Sequence, residues 1–201
     1  MDLTAWTATA ALKIHEDAKP DASGLKAVRL KAAGGEFAAF QVALRSEGGL
    51  KDVSVQVTDL NGPARIGAAR VSVWREHYVA TNEGRLPDPL SPLKTVDLQP
   101  GVCQPVYVEV QAPEDAPAGR YTGEVQVLAE GKPGQRAALE LDVRDFQLPA
   151  TPSFTTAFGN QYDWIATQEG ISPSGETFQK YCRAYYELLL SHRISPYNIP
   201  V

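Results

Sequence analysis

Val106-Tyr107-Val108-Glu109-Val110-Gln111 decides the fold. Valine recurs at every second position, which sets a row of β-branched side chains on one face of a strand and Tyr107, Glu109 and Gln111 on the other. The same alternation appears on either side of it. Phe40, Val42 and Leu44 alternate with Gln41, Ala43 and Arg45, and Val53, Val55 and Val57 with Ser54, Gln56 and Thr58. Tyr121, Gly123, Val125 and Val127 form one face of a further run, and Leu139, Leu141 and Val143 alternate with Glu140, Asp142 and Arg144. Less regular runs at 10–14, 26–30 and 71–79 bring the expected number to about eight strands. Gly34-Gly35, Gly48-Gly49, Asn61-Gly62-Pro63, Pro100-Gly101, Pro117-Ala118-Gly119 and Gly131-Lys132-Pro133-Gly134 separate the runs. Short strands, Gly/Pro turns and no helical period predict a mainly β fold, an N-terminal β-sandwich over residues 1–144. A barrel of similar strand number is the alternative.

Composition narrows the function. The chain has 201 residues, with 19 Lys and Arg against 24 Asp and Glu, a net charge of −5. That balance speaks against a nucleic-acid partner or an anionic membrane surface. A 43% hydrophobic and 21% charged composition is that of a globular protein. No apolar run is long enough for a membrane-spanning helix. The stretch 3–12 is poor in charge but carries Asp2 before it and threonines within it, so it reads as the start of the mature fold rather than a signal core. Localisation is not readable from this end. Cys103 and Cys182 are too few for a disulfide framework, and their placement predicts two free thiols.

One connection, between Val79 and Gln104, is long and carries Pro87, Pro89 and Pro92. It is expected to be either a rigid crossover in a Greek key or an interdomain contact packed through Leu86 and Leu90. At residue 145 the period is lost. Asp145-Phe146-Gln147-Leu148-Pro149-Ala150-Thr151-Pro152 reads as a stiff linker over 145–152. Residues 153–159 are compatible with a strand. The one helix that the pattern predicts then carries Phe178, Tyr181, Cys182, Tyr185, Leu188, Leu189 and His192 on a single stripe. It starts at Ser172-Pro173 or Ser174, and His192 and Arg193 sit in its last turn. A second short apolar piece begins at Asn198. Strand, helix and strand start, over 153–201, is the opening of an α/β domain, since two strands alone bury little.

Catalytic signals are sparse. His15, His77 and His192 are far apart and lack metal-ligand spacing, so no metal and no cofactor is expected. Phosphate loops and nucleophile elbows are absent from the sequence. Cys182 lies on the helix stripe and reads as a buried small hydrophobe. Glu16-Asp17 and Glu114-Asp115 are adjacent acids, but the second pair lies in a Pro/Gly turn, a poor place to raise a carboxyl pKa for general acid work.

Five segments in order carry a resemblance: Phe40-Gln41-Val42-Ala43-Leu44 after Gly35-Glu36, Arg85-Leu86-Pro87-Asp88-Pro89-Leu90, Ala116-Pro117-Ala118-Gly119-Arg120-Tyr121-Thr122-Gly123, Asp145-Phe146-Gln147-Leu148-Pro149, and His192-Arg193-Ile194-Ser195-Pro196. The set resembles the N-terminal part of proteins similar to glycoside hydrolase family 123 and of related bacterial glycoside-hydrolase-like proteins. The resemblance implies a β-sandwich followed by a (β/α)8 barrel, so that 153–201 would be the truncated start of the barrel. It implies an exo-acting enzyme that removes terminal β-linked N-acetylgalactosamine by substrate-assisted catalysis, with an adjacent Asp-Glu pair in the barrel. This sequence has no Asp-Glu dipeptide, so no catalytic residue carries over and the pair is expected beyond Val201.

If 155–159 is the first barrel strand, its C-terminal end faces the active site, and Asn160, Tyr162, Asp163 and Trp164 follow it as candidate substrate-binding residues. An ordinary βα loop is the other reading of these four. The expected function is the non-catalytic N-terminal portion of a glycoside hydrolase, with a glycan as the partner of the full-length protein. The alternative is a glycan-binding or structural sandwich, which an exposed aromatic platform would favour. Trp6, Trp74, Tyr78, Tyr107 and Tyr121 lie within strand patterns and are expected to pack in the core.

Overall fold

In the structure, a computed structural model that describes residues 2–20, 24–130, 132–159 and 161–197, with the backbone alone at 132 and 133, Val106, Val108 and Val110 are fully buried and Tyr107 is half-buried. The period-2 reading of that stretch is therefore the observed one. The chain divides into two compact units, Met1–Gln147 and Leu148–Val201.

Twelve strands are seen among the described residues: β1 (Thr4–Thr9), β2 (Val28–Gly34), β3 (Phe37–Arg45), β4 (Leu50–Val57), β5 (Leu60–Asn61), β6 (Arg65–Ile66), β7 (Val71–Thr81), β8 (Gly84–Pro92), β9 (Val96–Leu98), β10 (Gln104–Gln111), β11 (Gly119–Ala129) and β12 (Lys132–Gln147). They form a five-stranded sheet in the order β1-β3-β10-β7-β8 and a seven-stranded sheet in the order β2-β12-β11-β4-β9, with β5 and β6 hung on β11. Pairing is antiparallel except between β12 and β2. Phe40, Val42 and Leu44 join the β10 valines on one side of the core. Val53, Val55, Val57, Tyr121, Val125, Leu139 and Leu141 face them from the other sheet in a single cluster. The arrangement is β-sandwich-like. Each such Val or Leu contributes roughly 1.5–3 kcal/mol when fully buried.

The Pro117-Ala118-Gly119-Arg120-Tyr121-Thr122-Gly123 motif has a physical account at each marked position. Tyr121 is wholly buried, and its hydroxyl donates to Pro117 O at 2.7 Å, so the ring enters the core without stranding its O–H. Gly119 has φ +139, and a side chain there would meet the Pro63 ring at 2.7 Å. A Cβ at Gly123 would lie 2.8 Å from Asp59 O and 2.9 Å from Leu60 Cδ2, because the β4–β5 connection crosses β11 there.

More strands form than the alternation predicts, and the additions have a common cause. β5, β6 and β9 are two or three residues long, too short to show a period. β8 occupies part of the expected long connection. It is the second arm of a hairpin with β7, turning at Asn82-Glu83, with Thr81 opposite Gly84. Its prolines are tolerated because β8 is an edge strand with one unpaired side, and a register shift accompanies Asp88-Pro89. Conversely, 10–14 is not a strand. It belongs to a strap, 10–18, that crosses the outer face of the five-stranded sheet and covers Ala43 and Cys103 with Ile14. The period also runs beyond Arg144: β12 continues to Gln147, so the start of the expected 145–152 linker is sheet.

Among the described residues of unit Leu148–Val201 there are two helices, α1 (Tyr162–Glu169) and α2 (Gly175–Ser191), where the pattern predicts one. α1 has a weakly segregated surface with only Ile165 and Ala166 buried, so its period is not visible. It ends on Gly170 in the left-handed region, with Ile171 N–H reaching back to Ala166 O. α2 starts at Ser174 and is capped by His192, with Arg193 at φ 59 and Ile194 N–H bonded to Leu189 O. The helix thus stops before the two basic residues expected in its last turn. The expected strand at 155–159 is a single parallel bridge, Phe158 to Pro196. The apolar piece expected from Asn198 lies outside the described residues.

Tyr121→Phe leaves the Pro117 carbonyl without its donor. It is expected to lower unfolding stability by about 1–3 kcal/mol with the fold retained, measured as a shift in the urea midpoint at unchanged slope.

Candidate functional site

The parallel bridge positions the segment that sequence reasoning marks for substrate. Phe158 N–H donates to Ser195 O at 3.3 Å, Tyr197 N–H to Phe158 O at 3.1 Å, and Ser195 N–H to Thr156 Oγ1 at 2.7 Å. The chain then turns directly into α1. Tyr162, Asp163 and Trp164 are therefore not a loop but the first turn of that helix; Asn160 lies outside the described residues. Asp163 sits where the helix dipole favours a carboxylate, and Gln161 at the cap supplies no side-chain bond. Trp164 is 64% exposed and Tyr162 is half-buried.

The other sequence candidates separate. His15 is exposed on the strap. His77 Nε2 lies 2.7 Å from Ser91 Oγ across the β7–β8 hairpin, and burial, with Arg75 nearby, holds its pKa below the ordinary value. His192 Nδ1 contacts Leu188 O and Ser191 Oγ at the α2 terminus. Among the described residues no group of three or more His, Cys, Asp or Glu is placed to hold a metal ion. Cys103 and Cys182 are both buried free thiols, and burial pushes Cys103 up to about 12, which makes it a poor nucleophile. Glu114 and Asp115 are exposed in their turn.

The five-stranded sheet holds what the sequence did not reveal. Register puts Trp6, Trp74, Tyr78 and Tyr107 on its outer face, opposite to the valine row, so of the five aromatics expected in the core only Tyr121 is there. The strap covers one end of this face. Gln41 Nε2 donates to Thr9 O and Leu12 O at 2.8 Å and lies 3.2 Å from Ala10 O. The Tyr78 hydroxyl lies 2.9 Å from Ile14 O and 3.0 Å from Cys103 O, and Cys103 N–H donates to Glu16 O. Lys13 binds Pro87 O and Asp88, and Arg85 binds Glu16 at 2.9 Å. A cavity of about 250 Å³ at this end is lined by Glu16, Arg75, Glu76, His77, Tyr78 and Arg85, among others.

Glu76 is the least expected group here. It is 6% exposed, and its Oε1 has no hydrogen-bond partner. Desolvation raises its pKa to about 7, with Lys13 pulling the other way and Asp88 adding to the rise. Its one sequence signal is a lone acid inside the irregular 71–79 run. Because the folded value lies above the ordinary 4.5, ionisation opposes folding as pH rises through about 4.5 to 7, and the full cost is present above that window. Glu76→Gln, which cannot ionise, is expected to match the parent at pH 4 and to be more stable at pH 8, with a ceiling of about 3 kcal/mol. Thermal melts across that range check it, and a variant less stable at pH 8 would contradict the assignment.

Comparison with known proteins follows the same outline. The family model described as the glycoside hydrolase 123 N-terminal domain matches residues 6–129. A family 123 glycoside hydrolase from Clostridium perfringens, described for glycolipid glycan hydrolysis, shares the fold with a TM-score of 0.81 at 15% identity. The match covers 96% of this chain and 37% of that enzyme, so the chain spans little more than a third of its length. The N-terminal domain of PorA aligns over 72% of this chain and 98% of its own, at 10% identity and a TM-score of 0.39, too low to carry an argument. No curated protein matches. With well over half of its residues matched by that family model, the chain belongs to the glycoside hydrolase 123 N-terminal domain family.

Proposed function

We propose that this chain is the non-catalytic N-terminal portion of a family 123 glycoside hydrolase: a sandwich module followed by the first elements of a (β/α)8 barrel. The observation that carries the reading is the fold match, which extends past the family-matched 6–129 through both units while spanning only 37% of the enzyme matched. The parallel bridge supports it, since strand, helix and parallel strand is the repeating unit of such a barrel. On this reading the substrate is a glycan ending in β-linked N-acetylgalactosamine. The acetamido oxygen serves as nucleophile, and the acid pair that orients it and protonates the leaving oxygen comes from the remainder of the barrel.

In the sandwich, Arg85 is paired with Glu16, Cys103 and Glu76 are buried, and the adjacent acids Glu114 and Asp115 lie exposed in a turn. The 201-residue chain is accordingly expected to release no chromophore from an aryl N-acetyl-β-galactosaminide, whereas a longer protein that includes the remaining barrel does. Turnover by the short chain that is abolished in Glu114→Ala or Asp115→Ala would overturn the reading.

Residues just past the C-terminal end of a barrel strand line the substrate pocket. Tyr162, Asp163 and Trp164 follow the Phe158 bridge in this way, and Asn160 falls in the same place by sequence. Removing one partner of a buried hydrogen bond to a sugar hydroxyl costs about 1–3 kcal/mol, roughly 5- to 150-fold. Asp163→Ala and Asn160→Ala in the longer enzyme are expected to lower kcat/KM within that range with the fold intact. Parent-like kinetics for both would leave this segment a connection only.

A further inference from the structure

The strap is anchored to the five-stranded sheet on both sides of Glu76. Leu12 O accepts from Gln41 Nε2 on β3. One residue on, Lys13 Nζ donates to Pro87 O at 2.8 Å and to Asp88 Oδ1 at 3.0 Å, both on β8. The sheet order is β3-β10-β7-β8, so the Lys13 side chain spans β10 and β7, the strand that carries Glu76. Glu76 stands opposite Leu90, and its outer-face neighbours along β7, Trp74 and Tyr78, are only half-buried. Its 6% exposure is thus set by what lies above it rather than by the strand surface. Beneath this cover Glu76 Oε1 has no hydrogen-bond partner.

We propose that the strap, residues 10–18, is a pH-responsive cover, closed while Glu76 is protonated and released when Glu76 ionises. A carboxylate sealed with an unpartnered oxygen is costly, and the strand ladders around it cannot shift to solvate it. The strap can. It is tied down by the side chains of Gln41, Tyr78, Lys13 and Arg85 and by the bond from Cys103 N–H to Glu16 O at 2.8 Å. The surrounding charges do not offset the cost. Lys13 favours the ionised form and Asp88 opposes it, and these two are already joined in an exposed pair. Tyr78, Cys103 and Tyr107, which face Glu76 from β7, from before β10 and from β10, feel its charge as a further acid. Glu16 and Asp17 of the strap add negative charge near Tyr78, and Arg85 is engaged with Glu16. Arg75, next along β7, shares the inner side with Val106, where its Nε donates to Gln104 Oε1 at 3.0 Å. Release bares Ala43 and the Cys103 thiol, which Ile14 covers when the strap is closed.

Hydrogen exchange of the Cys103 amide reads the strap directly, since its bond goes to Glu16 O and not into a strand ladder. On exposure the carboxyl returns from about 7 to the ordinary 4.5, so the opening constant rises with pH, by at most about 300-fold at pH 8. After correction for intrinsic exchange, a rise of at least about tenfold from pH 5 to pH 8 is expected. Sub-denaturing urea should barely alter this opening, whereas Val108, in mid-β10, follows global unfolding. Glu76→Gln is expected to abolish the rise, and Asp115→Asn, in the exposed turn, to keep it. If Glu76→Gln fails to fold, the parent profile decides. A Cys103 opening that is level from pH 5 to pH 8 overturns the proposal, as when Lys13 leaves Asp88 to pair with Glu76 and the strap stays down. An opening constant and urea response shared with Val108, or a rise that persists in folded Glu76→Gln, overturns it equally.

Discussion

Gln41 sits in the middle of β3, on the side of the sheet away from the core, and is 1% exposed. A strap of irregular backbone crosses a sheet face there, and its carbonyls need donors that apolar side chains such as Ala43 beneath it do not offer. The Gln41 amide supplies them to Thr9 and Leu12, with Ala10 O close by, and the Tyr78 hydroxyl and Cys103 amide continue the series to Ile14 and Glu16. Without that series the strap would bury unpaired acceptors, each costing a few kcal/mol. The position of the strap therefore depends on three donors, on β3, on β7 and immediately before β10.

Where the strap lies determines what the rest of the face can do. Beneath it, desolvation pushes the Cys103 thiol, the Tyr78 hydroxyl and the Glu76 carboxyl upward together. At neutral pH the thiol and phenol are held in their uncharged forms, which suits packing and not chemistry. Beyond the edge of the strap the same sheet presents Trp74, Tyr107 and Glu109 to water in part. One structural device thus makes half of the face a second, small core and leaves the other half partly open to solvent.

The alternation of strongly apolar and polar residues made the sandwich readable, because burial on a single face is what β3, β4, β10, β11 and β12 experience. It failed where burial follows other rules. Trp6, Trp74, Tyr78 and Tyr107 look like core residues by size, yet the valines hold the inner positions and leave the aromatics the outer ones. β8 was hidden by its prolines, which exclude it from a sheet interior but not from an edge. Glu76 gives no sign in the sequence of being buried, since its environment is created by residues 10–18, some sixty positions earlier in the chain. In the second unit, the α2 stripe was legible around Cys182, whereas α1 has too little amphipathic contrast to show its period.

The two units also differ in how far they satisfy their own apolar side chains. In the first, facing rows of valine and leucine from two sheets close on each other, and the large core residues Tyr121, Leu44 and Leu139 are wholly buried. In the second, Phe154 and Trp164 are largely exposed, and Leu188 and Leu190 lie on α2 with about half of their surface in water. One parallel bridge offers no sheet face on which two helices could lay such residues, and parallel strands are stable when both faces are covered. Helices of this kind reach full burial when several neighbouring parallel strands supply the missing surface, as in a (β/α)8 barrel. The half-exposed leucines of α2 and the single parallel bridge among the described residues are the features that the proposed reading of 148–201 as a barrel's opening accounts for.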